Sequence, residues 1–283
     1  MSQPLGTLYV VATPIGNLAD MVPRAVQVLQ CVALIACEDT RHSARLLEHF
    51  AISGRCVAYH DHSDDKRTEQ ILAQLRAGQD VALISDAGTP LVSDPGYRLV
   101  RAARQEGVVV SPIPGACAFV AALSAAGLPS NRFTFEGFLP AKAGARLSAL
   151  EALADEPRTL IFYEAPHRVL ACVKAMAQAF GPERELVIAR EISKTFETIH
   201  TAPAEQMAQW IAADSNQERG EIVLLVHGAP QRQAGLGAET ERVMTVLLAE
   251  LPVKQAAALG AKLTGAKKNE LYQWGLSRRR RLG

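Results

Sequence analysis

Three clusters of residues have the types and spacing that chemistry needs. In the first, Ser85, Asp86, Ala87, Gly88, Thr89 and Pro90 follow an apolar run, and Ser93, Asp94, Pro95 and Gly96 come soon after. Small-residue turns on either side of a carboxylate make a ligand cradle, because Gly88 and Gly96 let main chain approach closely while Asp86 can accept hydrogen bonds from a ribose or an amine. Asp94 before Pro95 reads differently, as a helix N-cap with proline at the first helical position. A little further on, Pro114 and Gly115 set a rigid turn, which is either a second ligand wall or a structural turn before a packed helix.

The second cluster is Phe162 to Arg168, where Glu164, His167 and Arg168 gather at a strand end, together with Ala189 to Glu197, where charges alternate. Cross-strand ion pairing is the plain reading of such alternation. Arg190 and Glu191 nevertheless continue the apolar run Leu186 to Ala189, which places partly buried charges near a cleft. The third cluster, His60, Asp61, His62, Ser63, Asp64 and Asp65, approaches the HxHxDH pattern of dinuclear metallohydrolases, with Asp65 where the third histidine belongs. Such a site needs further ligands, and His167, His200 and His227 have no matching context. The cluster therefore reads as a polar rim or solvated loop. A metal-dependent hydrolase built on His60 and His62 stands as the alternative.

The elements that must position these residues repeat a strand, loop, helix rhythm. Apolar runs at Leu8–Ala12, Val32–Cys37, Cys56–Tyr59, Val81–Ser85 and Val108–Val110 alternate with helical patterns, which predicts a mostly parallel sheet with ligands bound at the carboxyl ends of its strands. Glu38 or Asp39 stands about where the ribose-binding acid of a dinucleotide fold would. The first loop, however, has Gly16 alone after Thr13 and Pro14, and without GxGxxG the pyrophosphate cradle is missing. Beyond a small-residue helix near Ala116–Ala126, strands are expected at Phe133–Leu139, Thr159–Tyr163, Leu186–Glu191, Thr195–His200 and Glu221–Val226, a spacing that implies a mixed sheet. The fold class expected is α/β, with two α/β domains at 1–116 and 117–230, a cleft between them, and a small basic helical appendage at 238–283. In that appendage Lys254–Leu263 and Lys267–Leu276 flank a break at Thr264 and Gly265, like a helix-turn-helix.

With 283 residues, 48% of them hydrophobic, the chain can fill a substantial core. No leader pattern opens it and its apolar runs are too short to span a bilayer, so a soluble, cytoplasmic protein is expected. Five scattered cysteines form no CxxC pair, and most of them sit in apolar surroundings and read as buried small side chains. The formal charge of +1 conceals an asymmetry, since Glu239–Gly283 holds nine Lys/Arg against four Asp/Glu and the preceding residues hold 21 against 25. A basic appendage on a mildly acidic body points to a polyanionic partner. Lys262, Lys267, Lys268, Arg278, Arg279, Arg280 and Arg281 are its candidate RNA contacts, mainly to phosphates. A non-catalytic RNA-binding factor is a further alternative.

The runs LYVVATPIGNLADMVPRAVQVL, ACEDTRHSARLL, ISDAGTPLVSDPGYRLV, PIPGACAFVAALSAAGLP, FYEAPHR, AREISKTFET and GEIVLLVHG, in this order, resemble the tetrapyrrole methylases, in particular their RNA-modifying branch. The resemblance covers nearly the whole chain. It implies a cleft between two α/β domains that binds S-adenosyl-L-methionine, lined by Thr13, Pro14, Asp86, Ala87, Gly88, Val92, Ser93, Pro114, Gly115 and Ala116 and closed by Tyr163 and Glu221. Where tetrapyrrole enzymes carry a Gly-Asp-Pro turn this chain has Ser85, Asp86, Ala87, Gly88, as the RNA-modifying branch does. The implied reaction is methylation of the 2′-hydroxyl of a cytidine in the decoding region of 16S rRNA, within the small ribosomal subunit, by a homodimer and without a metal. Glu164, Arg190 and Lys194 are the candidates for handling the proton, in no fixed order, with His60 a further one.

Overall fold

A computed structural model describes residues 4–60, 65–230 and 236–282. They form two compact units, 1–228 and 229–283. The first unit contains two five-stranded sheets. In the first sheet β1 (Thr7–Val11), β2 (Leu34–Cys37), β3 (Cys56–Ala58), β4 (Val81–Ile84) and β5 (Val109–Ile113) lie in the order β3-β2-β4-β1-β5. Every pairing in it is parallel. Helices α1 (Pro23–Cys31), α2 (Thr40–His49), α3 (Asp65–Arg76) and α4 (Tyr97–Gln105) are the crossovers. Central strands β2 and β4 are buried at every residue, as a sheet covered on both faces requires. Pro112 is tolerated because β5 is an edge strand, where a missing amide leaves no ladder bond unmade. Pro23 opens α1 at its first turn, and the Asp39 side chain caps α2 by accepting from the Arg41 amide at 2.8 Å.

The second sheet is mixed. Helix α5 (Ala118–Ala125) leads to β6 (Phe133–Phe138), α6 (Ala143–Ala152), β7 (Thr159–Glu164), α7 (Val169–Phe180), β8 (Glu185–Arg190), β9 (Thr198–Pro203), α8 (Ala204–Ala213) and β10 (Ile222–Val226). The strand order is β6-β7-β10-β8-β9, with β6 and β7 parallel and the other pairs antiparallel. One face packs Phe162, Ile188 and Leu224 against Val173, Met176 and Met207. The other packs Ile161, Val187 and Leu225 against Ala122 and Ala126 of the small-residue helix. Helix α8 lacked a signal in the sequence beyond its apolar spacing.

In the second unit α9 (Ala238–Glu250), α10 (Val253–Thr264) and α11 (Lys268–Leu282) bury Met244, Ala256, Ala257 and Leu271. The sequence predicts α10 and α11, and the left-handed Gly265 ends α10 as expected. It does not predict α9, whose polar first turn hides the apolar stripe that covers the other two. Among the described residues no helix is long and apolar enough to cross a membrane.

Candidate functional site

The loops at the carboxyl ends of β1 and β4 are bound to each other. Thr13 and Gly88 exchange main-chain hydrogen bonds, Thr13 N–H to the Gly88 carbonyl at 2.8 Å and Gly88 N–H to the Thr13 carbonyl at 3.1 Å. The Thr13 hydroxyl, 1% exposed, turns inward and donates to the carbonyls of Ser85 and Gly88. Thr89 Oγ1 donates to the Ala116 carbonyl at 2.9 Å, which adds the loop after β5. Gly88 sits at φ +83°, and a Cβ there would come within 3.3 Å of Ile15 Cγ2, so only glycine fits without strain. Leu91 and Ser93 are also left-handed, at φ 71° and 61°. Strain in a segment this short is sustained only by surroundings that dictate it.

A cavity of about 330 Å³ opens beside this knot, between the loops of the two sheets. The first sheet supplies Ile15, Ala87, Gly88, Thr89, Val92, Ser93 and Asp94. Cys117 and Ala118 come from the start of α5, and the second sheet supplies Phe138, Tyr163 to Pro166, Ile192 and Gly220 to Val223. A bulge in β6 between Phe135 and Gly137 re-aims the strand. Phe138, the next residue, is 58% exposed with its ring edge-on to Tyr163 at 5.6 Å. The Tyr163 hydroxyl accepts from the Phe119 amide at 3.3 Å. Burial pushes the Tyr163 hydroxyl and the Cys117 thiol upward, and the Asp94 carboxylate adds to both shifts.

Glu164 is 3% exposed. Its carboxylate accepts from the Ala165 amide at 2.8 Å and pairs with Arg168 Nε at 3.0 Å. Lys194 and Arg190 do not line the cavity; they hold the loop that follows β8. Arg190 donates to the carbonyls of Arg219 and Phe196 and to the Thr198 hydroxyl. Lys194 Nζ reaches Glu191 at 2.8 Å and Glu221 at 2.9 Å. Its carbon stem lies over Gly16, where a Cβ would meet Lys194 Cε at 2.3 Å, and Ser193 Oγ bonds the Asp20 carboxylate of the same first-sheet loop. Glu191 and Ser193 are left-handed, at φ 53° and 68°. Burial pushes Glu191 up, but Lys194 and the Glu221 amide more than reverse this and hold it below the usual carboxylate range. Burial likewise lowers Lys194, and its two carboxylate partners bring it above its ordinary value.

Of the residues expected around the cofactor, Ala87, Gly88, Val92, Ser93, Tyr163 and Glu221 line the cavity. Thr13 and Pro14 are buried next to it. Asp86 instead accepts from the Asp39 amide at 3.1 Å, tying β4 to the start of α2. Pro114, Gly115 and Ala116 are not lining residues; a Cβ on Gly115 would approach Ala12 Cβ to 2.8 Å, so this turn packs the ends of β1 and β5 together. Asp94 is not the N-cap expected of it. The helix starts later, at Tyr97 with Gly96 before it, and Asp94 is left at the cavity wall. Ile15, Thr89, Cys117, Ala118, Phe138, Ile192 and Gly220 were missed, since small or apolar side chains carry no chemical signature in a sequence.

Elsewhere, His200 stacks on Trp210 at 4.2 Å and His227 Nδ1 lies 2.9 Å from the Gly228 carbonyl. Asp61–Asp64, including His62, lie outside the described residues; among those described, no three His, Cys, Asp or Glu residues converge as metal ligands. In the second unit Lys262, Lys267 and Lys268 are exposed, Lys267 lies 3.7 Å from Glu270, and the Arg278 guanidinium lies 5.0 Å from the Trp274 ring centre. The side chains of Arg279, Arg280 and Arg281 lie outside those described.

A family model for tetrapyrrole (corrin/porphyrin) methylases matches residues 7–208, which places the chain in that class. Among solved structures, cobalt precorrin-4 methyltransferase shares the fold at TM-score 0.60 and 15% identity over 78% of this chain and 94% of that one. Uroporphyrin-III-C-methyltransferase from Thermus thermophilus does so at TM-score 0.56 and 21% identity, over 78% and 94%. A second model, for an RsmI C-terminal HTH domain, matches residues 234–279. Ribosomal RNA small subunit methyltransferase I of Pseudomonas aeruginosa is 59% identical over 96% of this chain and 98% of the relative. That of Escherichia coli O157:H7 is 53% identical over 96% and 95%. The chain belongs to the ribosomal RNA small subunit methyltransferase I family.

Proposed function

We propose that this chain transfers a methyl group from S-adenosyl-L-methionine to the 2′-hydroxyl of a cytidine in the decoding region of 16S rRNA. The reading rests on the cavity between the two sheets, in a chain whose relatives are named for methylating small-subunit ribosomal RNA. It takes the working protein to be a cytoplasmic homodimer acting on the small subunit. The cavity suits this cofactor. Its volume falls in the range of small-ligand sites, apolar walls at Ile15, Val92, Ile222 and Val223 can take an adenine, and Asp94 and Glu221 favour a cationic, hydroxyl-bearing molecule.

When bound, the cofactor supplies an electrophilic methyl: a C–O bond forms at the ribose, the C–S bond breaks, and the hydroxyl loses its proton. The chain's residues align and desolvate the reactants. Asp94 accepts hydrogen bonds from the cofactor. Glu164, fixed by Arg168 and the Ala165 amide, is the lining carboxylate in place to receive the hydroxyl proton. Arg190 and Lys194 are positioning residues, one holding the loop after β8 and the other laying it across Gly16. The open ring of Phe138 offers a platform for the nucleobase once it leaves its own stack. Lys262, Lys267, Lys268 and the terminal arginines contact phosphates.

The test uses purified protein, small-subunit RNA or assembled subunits, and cofactor labelled on its methyl. Alkaline cleavage of RNA requires a free 2′-hydroxyl, so a 2′-O-methyl leaves label in an alkali-resistant dinucleotide beginning with cytidine. Label released in mononucleotides, or no transfer to RNA by a folded protein that binds the cofactor, would sink the proposal.

A further inference from the structure

The exposed face of α4 lies outside the lining of the cavity between the sheets. Its sequence, Tyr97 to Gln105, contains three arginines and no acidic residue. Leu99 and Ala103 turn to the core, while Tyr97, Arg98, Arg101, Arg104 and Gln105 are exposed. At three-residue intervals the arginines follow one another along one side of the helix. Tyr97, Val100, Arg101, Arg104 and Gln105 line an open depression of about 370 Å³. Within it Arg101 Nη1 donates to the Tyr97 hydroxyl at 3.1 Å, and the guanidinium lies 6.0 Å from the ring centre.

The electrostatics are one-sided. Glu106, the carboxylate just beyond the helix, is held by Arg76 of α3 in a two-pronged pair at 2.7 and 2.6 Å, and Arg76 also pairs with Glu69. Among the described residues no carboxylate pairs with Arg98, Arg101 or Arg104. An exposed aromatic ring beside unpaired guanidiniums matches the chemistry of an RNA strand, with forks for phosphate oxygens and a π-face for a base. The position matters too, because Tyr97 follows Asp94 of the cavity wall by only three residues.

We infer that the Tyr97–Arg101–Arg104 face of α4 is an RNA-docking surface of the first unit, holding the substrate backbone beside the nucleotide that enters the cavity. The inference rests on the RNA reading above and adds a contact separate from the C-terminal helices. It gives a unit with a mildly acidic sequence one local face, with three arginines and no acidic residue in its helix, that can receive a polyanion.

The full-length chain and its Arg101→Gln/Arg104→Gln variant are titrated with a fluorescent small-subunit RNA fragment at several salt concentrations. The expected result is RNA affinity weakened about tenfold and a log–log salt slope flatter by one to two, because each lost phosphate contact removes roughly one released counterion. Calorimetric affinity for S-adenosylmethionine stays at the wild-type value, and Arg101→Lys/Arg104→Lys recovers most of the salt slope. RNA affinity and slope unchanged from wild type would overturn the inference. So would a change in oligomeric state by ultracentrifugation, which would make this face a contact between two copies of the chain. If the wild-type chain binds no RNA although it binds the cofactor, the RNA reading itself falls and this surface with it.

Discussion

The two sheets contribute to one cavity by different means. The parallel sheet offers main chain and small residues, with Gly88 open, Thr13 turned inward to hold its neighbours, and Asp94 as its single lining carboxylate. The mixed sheet offers side chains: Phe138, Tyr163, Glu164, Ile192 and Glu221. On the proposed reading the first half holds the cofactor through main chain and Asp94, while the second closes over it with Glu221, Ile222 and Val223 and handles the nucleotide. Backbone recognition demands a fixed loop, which the reciprocal Thr13–Gly88 bonds and the left-handed Leu91 and Ser93 provide. Side-chain chemistry tolerates more variety, and a bulge or ion pair suffices to aim each group.

The sharpest way to break this comparison is Asp94→Ala. Losing charge-assisted hydrogen bonds costs about 1.5–3 kcal/mol, so calorimetry should show cofactor affinity falling roughly 10- to 150-fold. Equal loss from Asp86→Ala, whose carboxylate accepts from the Asp39 amide, would show that affinity follows the integrity of the loops rather than the Asp94 carboxylate. Phe138→Ala should leave cofactor binding intact and weaken apparent RNA affinity about tenfold, as expected for losing one stacking platform. An effect on the cofactor alone would move Phe138 to the other side of the ledger.

Smaller effects concern the closing loop. Lys194→Met keeps most of the stem over Gly16 but removes its ion pairs, and cofactor affinity should fall only a few-fold, since partly exposed pairs contribute little. The pH dependence has a definite sign. Glu191 lies below the usual carboxylate range, so its share of the clamp is present at neutral pH and lost as pH falls through that lowered value. Lys194 is raised, so its share is present below the ordinary lysine value and lost as pH climbs through the raised one. Cofactor affinity measured between about pH 6 and 9 should therefore show no step from this pair. The last test expects no difference at all. Cys37 in the parallel sheet and Cys172 in the mixed one are both buried, and burial pushes the Cys37 thiol up to about 11 and Cys172 higher still. Pulse alkylation in rising urea should label the two together and exposed Cys31 first, because both sheets belong to one compact unit. Earlier labelling of either would show that the halves open separately.

Much of the parallel half was legible because its strands are continuous apolar runs ended by small residues, a pattern that burial on both faces imposes. The cavity lining was legible where glycine or a charge marks it, as at Gly88 and Glu164, whereas Tyr163 and Glu221 came only through the resemblance to a known family. Asp94 was obscured by Pro95: the pair has the local chemistry of a cap, yet left-handed Ser93 and Gly96 at φ 132° delay the helix to Tyr97. Ile192 and Cys117 could not be read because contact with the cavity depends on how distant segments are brought together. Arg190 and Lys194 stood out as charged candidates for handling the proton, but their hydrogen-bond and ion-pair partners hold a loop, and neither lines the cavity.

The bond between Ser193 and Asp20 joins residues 173 apart in the chain. At ordinary rates of synthesis, about 5–20 residues per second, the Gly16 loop leaves the ribosome roughly ten to thirty seconds before the segment that will cover it. Throughout that interval the nascent protein has the first wall of a binding site and no second one. Cofactor capture thus becomes a late event in the life of each molecule, and an amino-terminal fragment released early would be without the activity of the whole.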